Sequence, residues 1–273
     1  MNATTLVLGG TGKTGSRLID RLTARGVDVR VGSRSAVVPF DWEDRSTWPA
    51  ALASVGAVYV AYYPDLAVPG AVDAVRALSD AAREAGVRRL VLLSGRGEEE
   101  AQQAERVVQE SGLEWTVVRC AWFNQNFDES YLLEPVLSGE VALPVGDVLE
   151  PFVDADDIAD VAAAALTEDG HTGRVYELTG PRLLTFADAV GEISEATGRD
   201  ITFVTVPADD YLAALADEGL PPGLTWLVTY LFREVLDGRN AYLADGVRQA
   251  LGREPKDFAE FARDAAARGA WER

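Results

Sequence analysis

The chain has 273 residues, 48% of them hydrophobic and 25% charged, which is the make-up of an ordinary globular protein and excludes disordered or collagen-like architectures. Its net charge of -19 repels phosphate backbones and anionic lipid surfaces, so neither nucleic acid nor membrane is an expected partner. One cysteine, Cys120, and one histidine, His171, exclude an internal disulfide and a zinc site of usual spacing, and no metal is expected. Met1 to Thr5 lacks a basic segment and runs at once into Gly9-Gly10, unlike a signal peptide, and no apolar stretch reaches the roughly 18 to 20 residues of a membrane span. The expected location is cytoplasmic.

Leu6-Val7-Leu8 is an apolar run ending in glycines, Leu18, Ile19 and Leu22 recur with helical spacing, and Val27 to Val31 alternates as a strand, which together make a βαβ unit. The pattern then predicts a short strand near Phe40, a helix over 48–55, a strand over 57–61, a helix over 69–85, a strand over 89–93, a helix over 98–111 and a strand over 115–119. Val- and Leu-rich strands separated by helices imply an α/β fold, a Rossmann-type doubly wound parallel sheet covered on both faces. After Arg119 the rhythm changes. Residues 123–139 read as irregular or helical, 141–143 as a short strand, and Phe152-Val153 leads into a helix over 155–166 whose start is crowded by Asp154, Asp156 and Asp157 as caps. A strand over 175–178, a helix from about Thr185 and a strand over 201–206 follow, then a mostly helical remainder with Asn240 as a cap before Ala241. The expected division is a doubly wound domain over 1–122, to which 151–180 returns, and a smaller, mostly helical substrate lobe over 123–150 and 181–273.

Between the first strand and first helix stands Gly9-Gly10-Thr11-Gly12-Lys13-Thr14-Gly15, which fits both G-x-G-x-x-G and G-x-x-G-x-x-G. In that setting the glycines permit a tight turn, close backbone approach to a pyrophosphate and close helix-on-strand packing, which is the chemistry of dinucleotide binding. Lys13-Thr14 has the wrong spacing for a triphosphate P-loop. At the end of the second strand, where an NAD site usually places an Asp or Glu on the ribose hydroxyls, the chain carries Ser33-Arg34-Ser35. A guanidinium there forks onto a 2′-phosphate and a serine adds a hydroxyl, so NADP(H) is favoured over NAD(H), with Lys13 as a second candidate cation.

The glycine loop, Gly32-Ser33-Arg34-Ser35, Phe40-Asp41-Trp42, Leu92-Leu93-Ser94, Thr116 to Phe127, Pro151 to Ala159 and Tyr176 to Pro181 together resemble the NmrA-like atypical short-chain dehydrogenases over most of the chain. Within them the Lys13-Thr14 loop, the Ser33-Arg34-Ser35 turn and Phe40-Asp41-Trp42 look most like the ergot-alkaloid (festuclavine/agroclavine) dehydrogenase branch, whose fungal members reduce an iminium with NADPH. The resemblance implies a cofactor groove lined by Gly9, Thr11, Gly12, Lys13, Thr14, Gly15, Ser33 and Arg34. It puts Asp41 and Trp42 near adenine, Ala61 and Tyr62 to Tyr63 near the ribose, and Ser94 with Cys120, Ala121, Trp122 and Phe123 near nicotinamide. The family often has proline where this chain has Cys120.

A standard short-chain dehydrogenase protonates the alkoxide from a Tyr-x-x-x-Lys pair on the helix after Ser94, yet residues 95–118 contain neither Tyr nor Lys, and Gln102 stands where many relatives have lysine. Three readings follow. An iminium carbon needs no acid, only positioning and exclusion of water. Alternatively an acid comes from the loop after the fourth expected strand, with Tyr63 and Ser94 as the candidate catalytic residues. The third is a non-catalytic NADP redox sensor of the NmrA type acting through a protein partner. Phe127, Tyr131, Trp226 and Tyr230, with Trp122 and Phe123, are candidates to wall a pocket for a small organic substrate, although core packing competes for about half of them. Cys120 reads as a buried small side chain and His171 as a surface turn residue.

Overall fold

The computed structural model describes residues 4–217, 219 and 221–272. In chain order the elements are β1 (Thr4–Leu8), α1 (Lys13–Ala24), β2 (Val29–Gly32), α2 (Trp48–Leu52), β3 (Val55–Val60), α3 (Ala71–Glu84), β4 (Arg89–Gly95), α4 (Glu99–Gln109) and β5 (Glu114–Cys120). They continue as α5 (Leu133–Ser138), β6 (Glu140–Leu143), α6 (Ala155–Thr167), β7 (Arg174–Leu178), α7 (Phe186–Thr197), β8 (Thr202–Thr205), α8 (Ala208–Asp217), α9 (Pro222–Tyr230), α10 (Gly246–Leu251) and α11 (Phe258–Ala267). A π-helical turn, Leu231–Val235, follows α9.

The chain divides into two compact units, Met1–Cys120 with Ala155–Leu178 and Asp245–Arg253, and Ala121–Asp154 with Thr179–Ala244 and Glu254–Arg273. The first holds a parallel sheet in the order β2-β1-β3-β4-β5-β7. Alternation along each strand sends Leu6, Leu8, Val58, Val60, Leu90 and Leu92 into one core with Leu52, Val75, Leu78, Ala104 and Val108 of the helices. On the other side α1 packs against α6, which lies along β3, β4 and β5. Every residue of α6 from Asp157 to Leu166 except Asp160 is buried, as expected of a helix apolar nearly all round. The segment 245–253, grouped with the lobe on sequence, packs as α10 on α6 and β7.

The second unit carries the parallel pair β6-β8, and α7 packs on α11 over a core of Phe127, Phe152, Phe186, Phe258, Phe261 and Trp271. α7 starts on a reciprocal capping box between Thr185 and Asp188. α11 starts on Asp257, whose carboxylate accepts from the Ala259 amide at 2.9 Å and from Arg182 Nε at 2.6 Å. No helix among the described residues is long and apolar enough to cross a membrane.

Several local expectations are corrected. No strand forms near Phe40: its amide donates to the Ser33 carbonyl at 3.0 Å and its ring stacks on Trp48, so side-chain packing replaces a ladder. The helix expected over 48–55 stops at Leu52, and Val55 already belongs to β3. Asn240 caps no helix; α10 begins later, with Asp245 at its N-cap. His171 is buried, and its Nδ1 pairs with the Tyr176 hydroxyl at 2.8 Å. At the acidic start of α6, Asp156 also pairs with Arg21 and Asp157 with Arg253, both at 2.5 Å.

Candidate active site

β1 has β2 on one side and β3 on the other, so the strand order reverses beside it and a crevice opens at the carboxyl ends of β1 and β3. The glycine loop lies there. Gly9 adopts φ +70°, a conformation open chiefly to glycine, and its carbonyl accepts from the Gly12 amide at 2.9 Å to close the turn. A Cβ on Gly15 would stand 2.2 Å from the Gly9 carbonyl oxygen, so the contact of α1 with the loop admits no side chain. α1 begins at Lys13 without a side-chain cap, which presents the positive end of its dipole at the loop. Thr14 is buried, and its hydroxyl accepts from the Tyr59 hydroxyl of β3 at 2.9 Å; burial pushes the Tyr59 phenol above its ordinary range.

At the end of β2, a Cβ on Gly32 would stand 2.4 Å from Leu8 Cδ2, which explains the glycine before the Ser33-Arg34-Ser35 turn. The Ser33 and Ser35 hydroxyls lie 3.5 Å apart. Arg34 is exposed and pairs with no acidic side chain among the described residues. Asp41 is fixed through its backbone, donating to Thr47 Oγ1 at 3.0 Å and accepting from Trp48 Nε1 at 2.7 Å, while its carboxylate accepts from the Glu43 amide at 3.0 Å. Trp42 meets Phe40 edge-on at 5.0 Å and Tyr62 at 4.8 Å, tying the loop after β2 to the end of β3. Burial, then the charge of Glu43, raises the Tyr62 phenol.

At the end of β4 the Ser94 hydroxyl donates to Glu105 of α4 at 2.6 Å. Glu105 is almost fully buried and is held by Arg119 of β5 through Nε at 2.9 Å and a second nitrogen at 2.5 Å. Glu177 of β7, 3.8 Å from Arg119, accepts from Arg96 at 2.6 Å, so a charged chain runs beneath the carboxyl ends of β4, β5 and β7. Cys120, ending β5, is buried and free, and burial drives its thiol well above the usual range. Glu105, Glu98, Asp65 and Tyr59 carry this edge of the sheet and were not singled out from sequence. Glu98 heads a Glu-Glu-Glu run that reads as a helix start, and only the fold discloses its burial.

The proposed groove residues Gly9, Thr11 to Gly15, Ser33, Arg34, Ala61, Tyr62, Ser94 and Cys120 thus follow β1, β2, β3, β4 and β5 at one edge of one sheet. Tyr63 is 74% exposed. In the second unit, Trp122 packs on Phe186 and Phe232 at 5.8 and 5.9 Å, and Phe123 bridges Val153. Phe127 is fully buried against Phe152 and Phe258, which withdraws its ring from any pocket wall. Tyr131 and Trp226 are exposed, and Trp226 stacks on Tyr230 along α9 at 5.5 Å with planes 4° apart.

Comparison with known proteins agrees with this geometry. The NAD(P)H-binding family matches residues 9–169. An NAD(P)H azoreductase of Xenophilus azovorans is 32% identical over 96% of this chain and 98% of its own length. Festuclavine dehydrogenase of Aspergillus fumigatus is 30% identical over 97% and 98%. Among solved structures, the NADPH-dependent quinone oxidoreductase QOR2 of Escherichia coli, complexed with NADPH, superposes with a TM-score of 0.78 at 23% identity over 95% of this chain and 99% of that one. The negative transcriptional regulator NmrA gives 0.73 at 17% identity over 99% and 97%. With its glycine loop at the switch point of a Rossmann-type sheet and these relatives along nearly its whole length, the chain shares its fold with NmrA and belongs to the NAD(P)H-binding oxidoreductase family.

Proposed function

We propose that the protein is an NADPH-dependent reductase of small organic acceptors whose reacting carbon is already electron-poor, an iminium or an activated C=C or C=O. The observation that carries this reading is the Ser94–Glu105 hydrogen bond: the helix that would present a phenol and an ammonium to Ser94 instead presents a buried carboxylate locked to Arg119. With its proton committed to Glu105, the Ser94 oxygen is left as an acceptor and not an acid. Acceptors that need little or no protonation suit such a site.

The cradle fits a dinucleotide. Gly9, Gly12 and Gly15 leave backbone where side chains would stand, the N-terminus of α1 faces the loop, and Arg34 supplies a cation for a 2′-phosphate. When bound, the reduced nicotinamide supplies the hydride. Thr11 to Thr14 would hold the pyrophosphate, Ser33 and Arg34 the ribose phosphate, Asp41, Trp42 and Tyr62 the adenine side, and Ser94 and Cys120 the nicotinamide side. The exposed rings Tyr131 and Trp226, with the half-buried Tyr230 stacked on Trp226, are the proposed substrate-facing surface of the lobe. The quinone oxidoreductase neighbour was solved with NADPH, and the azoreductase and festuclavine dehydrogenase are named for related reductions, which supports the reading. A free thiol such as Cys120 suits the cytosol.

The test is NADPH consumption, followed by absorbance, against a panel of cyclic iminium ions, quinones, enones and azo dyes, alongside titration with NADPH and NADH. Turnover of at least one class with NADPH preferred supports the reductase. Tight NADPH binding with an inert panel, and a protein captured in only one redox state of the cofactor, would instead establish the redox sensor.

A further inference from the structure

Two carboxyl groups, Asp65 and Glu98, interact at the carboxyl edge of the sheet. Asp65 lies on the loop after β3, and Glu98 stands between the end of β4 and the start of α4. Glu98 is 7% exposed and folds back over Gly95, where a Cβ would come within 2.2 Å of Glu98 Oε1, so the glycine is what admits the carboxyl. Glu98 Oε2 is buried and finds no hydrogen-bond donor among the described residues; what faces it is the Asp65 carboxyl. Asp65 is oriented from its other side, its Oδ1 accepting from the Ala67 amide at 2.8 Å. The charges that act most strongly on Glu98 are those of Asp65 from the loop after β3 and of Glu100 and Glu105 from α4, all acidic.

A buried carboxylate beside a half-buried one cannot readily share ionisation with it, and a single proton between the two satisfies both. Burial, reinforced by the Asp65 charge, pushes the Glu98 carboxyl well above the usual carboxylate range; burial raises Asp65 as well, but the Ala67 amide and the interaction with Glu98 oppose that rise, so the proton is assigned to Glu98. The pair adjoins Ser94 and Gly95, at the strand ends where the cofactor crevice of such a sheet lies.

We infer that Asp65 and Glu98 form a proton-sharing pair that supplies the proton when the acceptor requires one, the part played elsewhere by a tyrosine. This deepens the reductase reading and rests on it. For an activated carbonyl the carbon takes the hydride, the π electron pair moves to oxygen, and that oxygen takes the Glu98 proton, directly or through one water. The Glu98 O–H bond breaks, leaving two carboxylates until water returns a proton through the less buried Asp65.

The experiment compares wild type with Glu98→Gln and Asp65→Asn. Infrared difference spectra recorded from pH 5 to 9, with and without NADPH, read the protonated carboxyl without turnover. Expected are a protonated-acid carbonyl band at neutral pH that is absent in Glu98→Gln, persists shifted in Asp65→Asn, and moves when NADPH binds. In steady state, the ratio of quinone to cationic triarylmethane dye reduction falls at least about tenfold in Glu98→Gln, because a carbocation needs no proton. NADPH affinity is read in parallel: its absence in wild type would sink the reductase reading itself. With binding intact, a missing neutral-pH acid band, a band indifferent to NADPH, or an unchanged rate ratio would overturn the proton-sharing pair alone.

Discussion

Gly15 of α1 is packed so closely on the loop before it that a Cβ would stand 2.2 Å from the Gly9 carbonyl oxygen. That oxygen already accepts from the Gly12 amide, so it cannot retreat without opening the turn. Gly15→Ala is therefore expected to destabilise the fold by about 1–3 kcal/mol or more and to weaken NADPH binding at least tenfold. Gly191→Ala, in the exposed interior of α7 where nothing lies within 4 Å, is the contrast. It should stabilise by about 0.5–1 kcal/mol and leave NADPH affinity unchanged. Thermal unfolding and fluorescence titration of both variants check the pair.

Arg34 stands exposed beside Ser33 and Ser35 with no acidic partner among the described residues. A charge-assisted fork onto a 2′-phosphate is worth about 1.5–3 kcal/mol. Arg34→Ala should then weaken NADPH binding roughly ten- to a hundredfold and leave NADH affinity nearly unchanged. Equal losses for both cofactors would mean that Arg34 reads something other than that phosphate.

The parts of the site legible in sequence are those where one short segment carries its own geometry. The glycine loop announces both the turn and the helix behind it, and Ser33-Arg34-Ser35 sits at a fixed distance along the next strand. What stayed hidden depends on partners remote in sequence or on burial. Phe40 looked like a strand residue because aromatic residues favour strands, but Trp48 and Trp42 claim its ring. His171 looked like a turn residue until β7 brought Tyr176 beneath it. Glu98 is indistinguishable from Glu99 and Glu100 by composition, and only the return over Gly95 separates the buried carboxyl from the solvated ones.

Tyr59 supports the cradle from the next strand, its hydroxyl bonded to buried Thr14 at 2.9 Å. Tyr59→Phe removes the donor while keeping the ring. It should cost about 1 kcal/mol and loosen the start of α1, so NADPH affinity should fall several-fold as well. Hydrogen exchange of the α1 amides with and without NADPH separates that local effect from a uniform loss of stability.

Glu105 joins Ser94 to Arg119 inside the sheet edge. Glu105→Ala strands a mostly buried guanidinium and a buried hydroxyl together. Breaking a buried pair from one side costs about 3–5 kcal/mol, and the lower end applies because Arg119 keeps Glu177 at 3.8 Å and is 23% exposed. The urea midpoint should drop accordingly with an unchanged m-value. A loss below about 1 kcal/mol would show the network to be dispensable.

Stability should respond to pH through Glu98. Its carboxyl titrates near 4.3 in the unfolded chain and well above that in the fold, where it is buried beside Asp65. Between those two values the native state binds more protons than the unfolded state. The derivative of unfolding free energy with pH is then negative, so this contribution is full below the unfolded value and is lost as pH rises through the folded one. Asp257 acts in the opposite sense: Arg182 holds it below its ordinary value, so its contribution is present above about 3.9 and is lost as pH falls. Urea midpoints measured from pH 4 to 9 should decline on the rising-pH side in wild type, and Glu98→Gln should flatten that limb while leaving the acid limb unchanged. An alkaline limb equally steep in both proteins would place its titrating group elsewhere and remove the thermodynamic basis for a proton shared with Asp65.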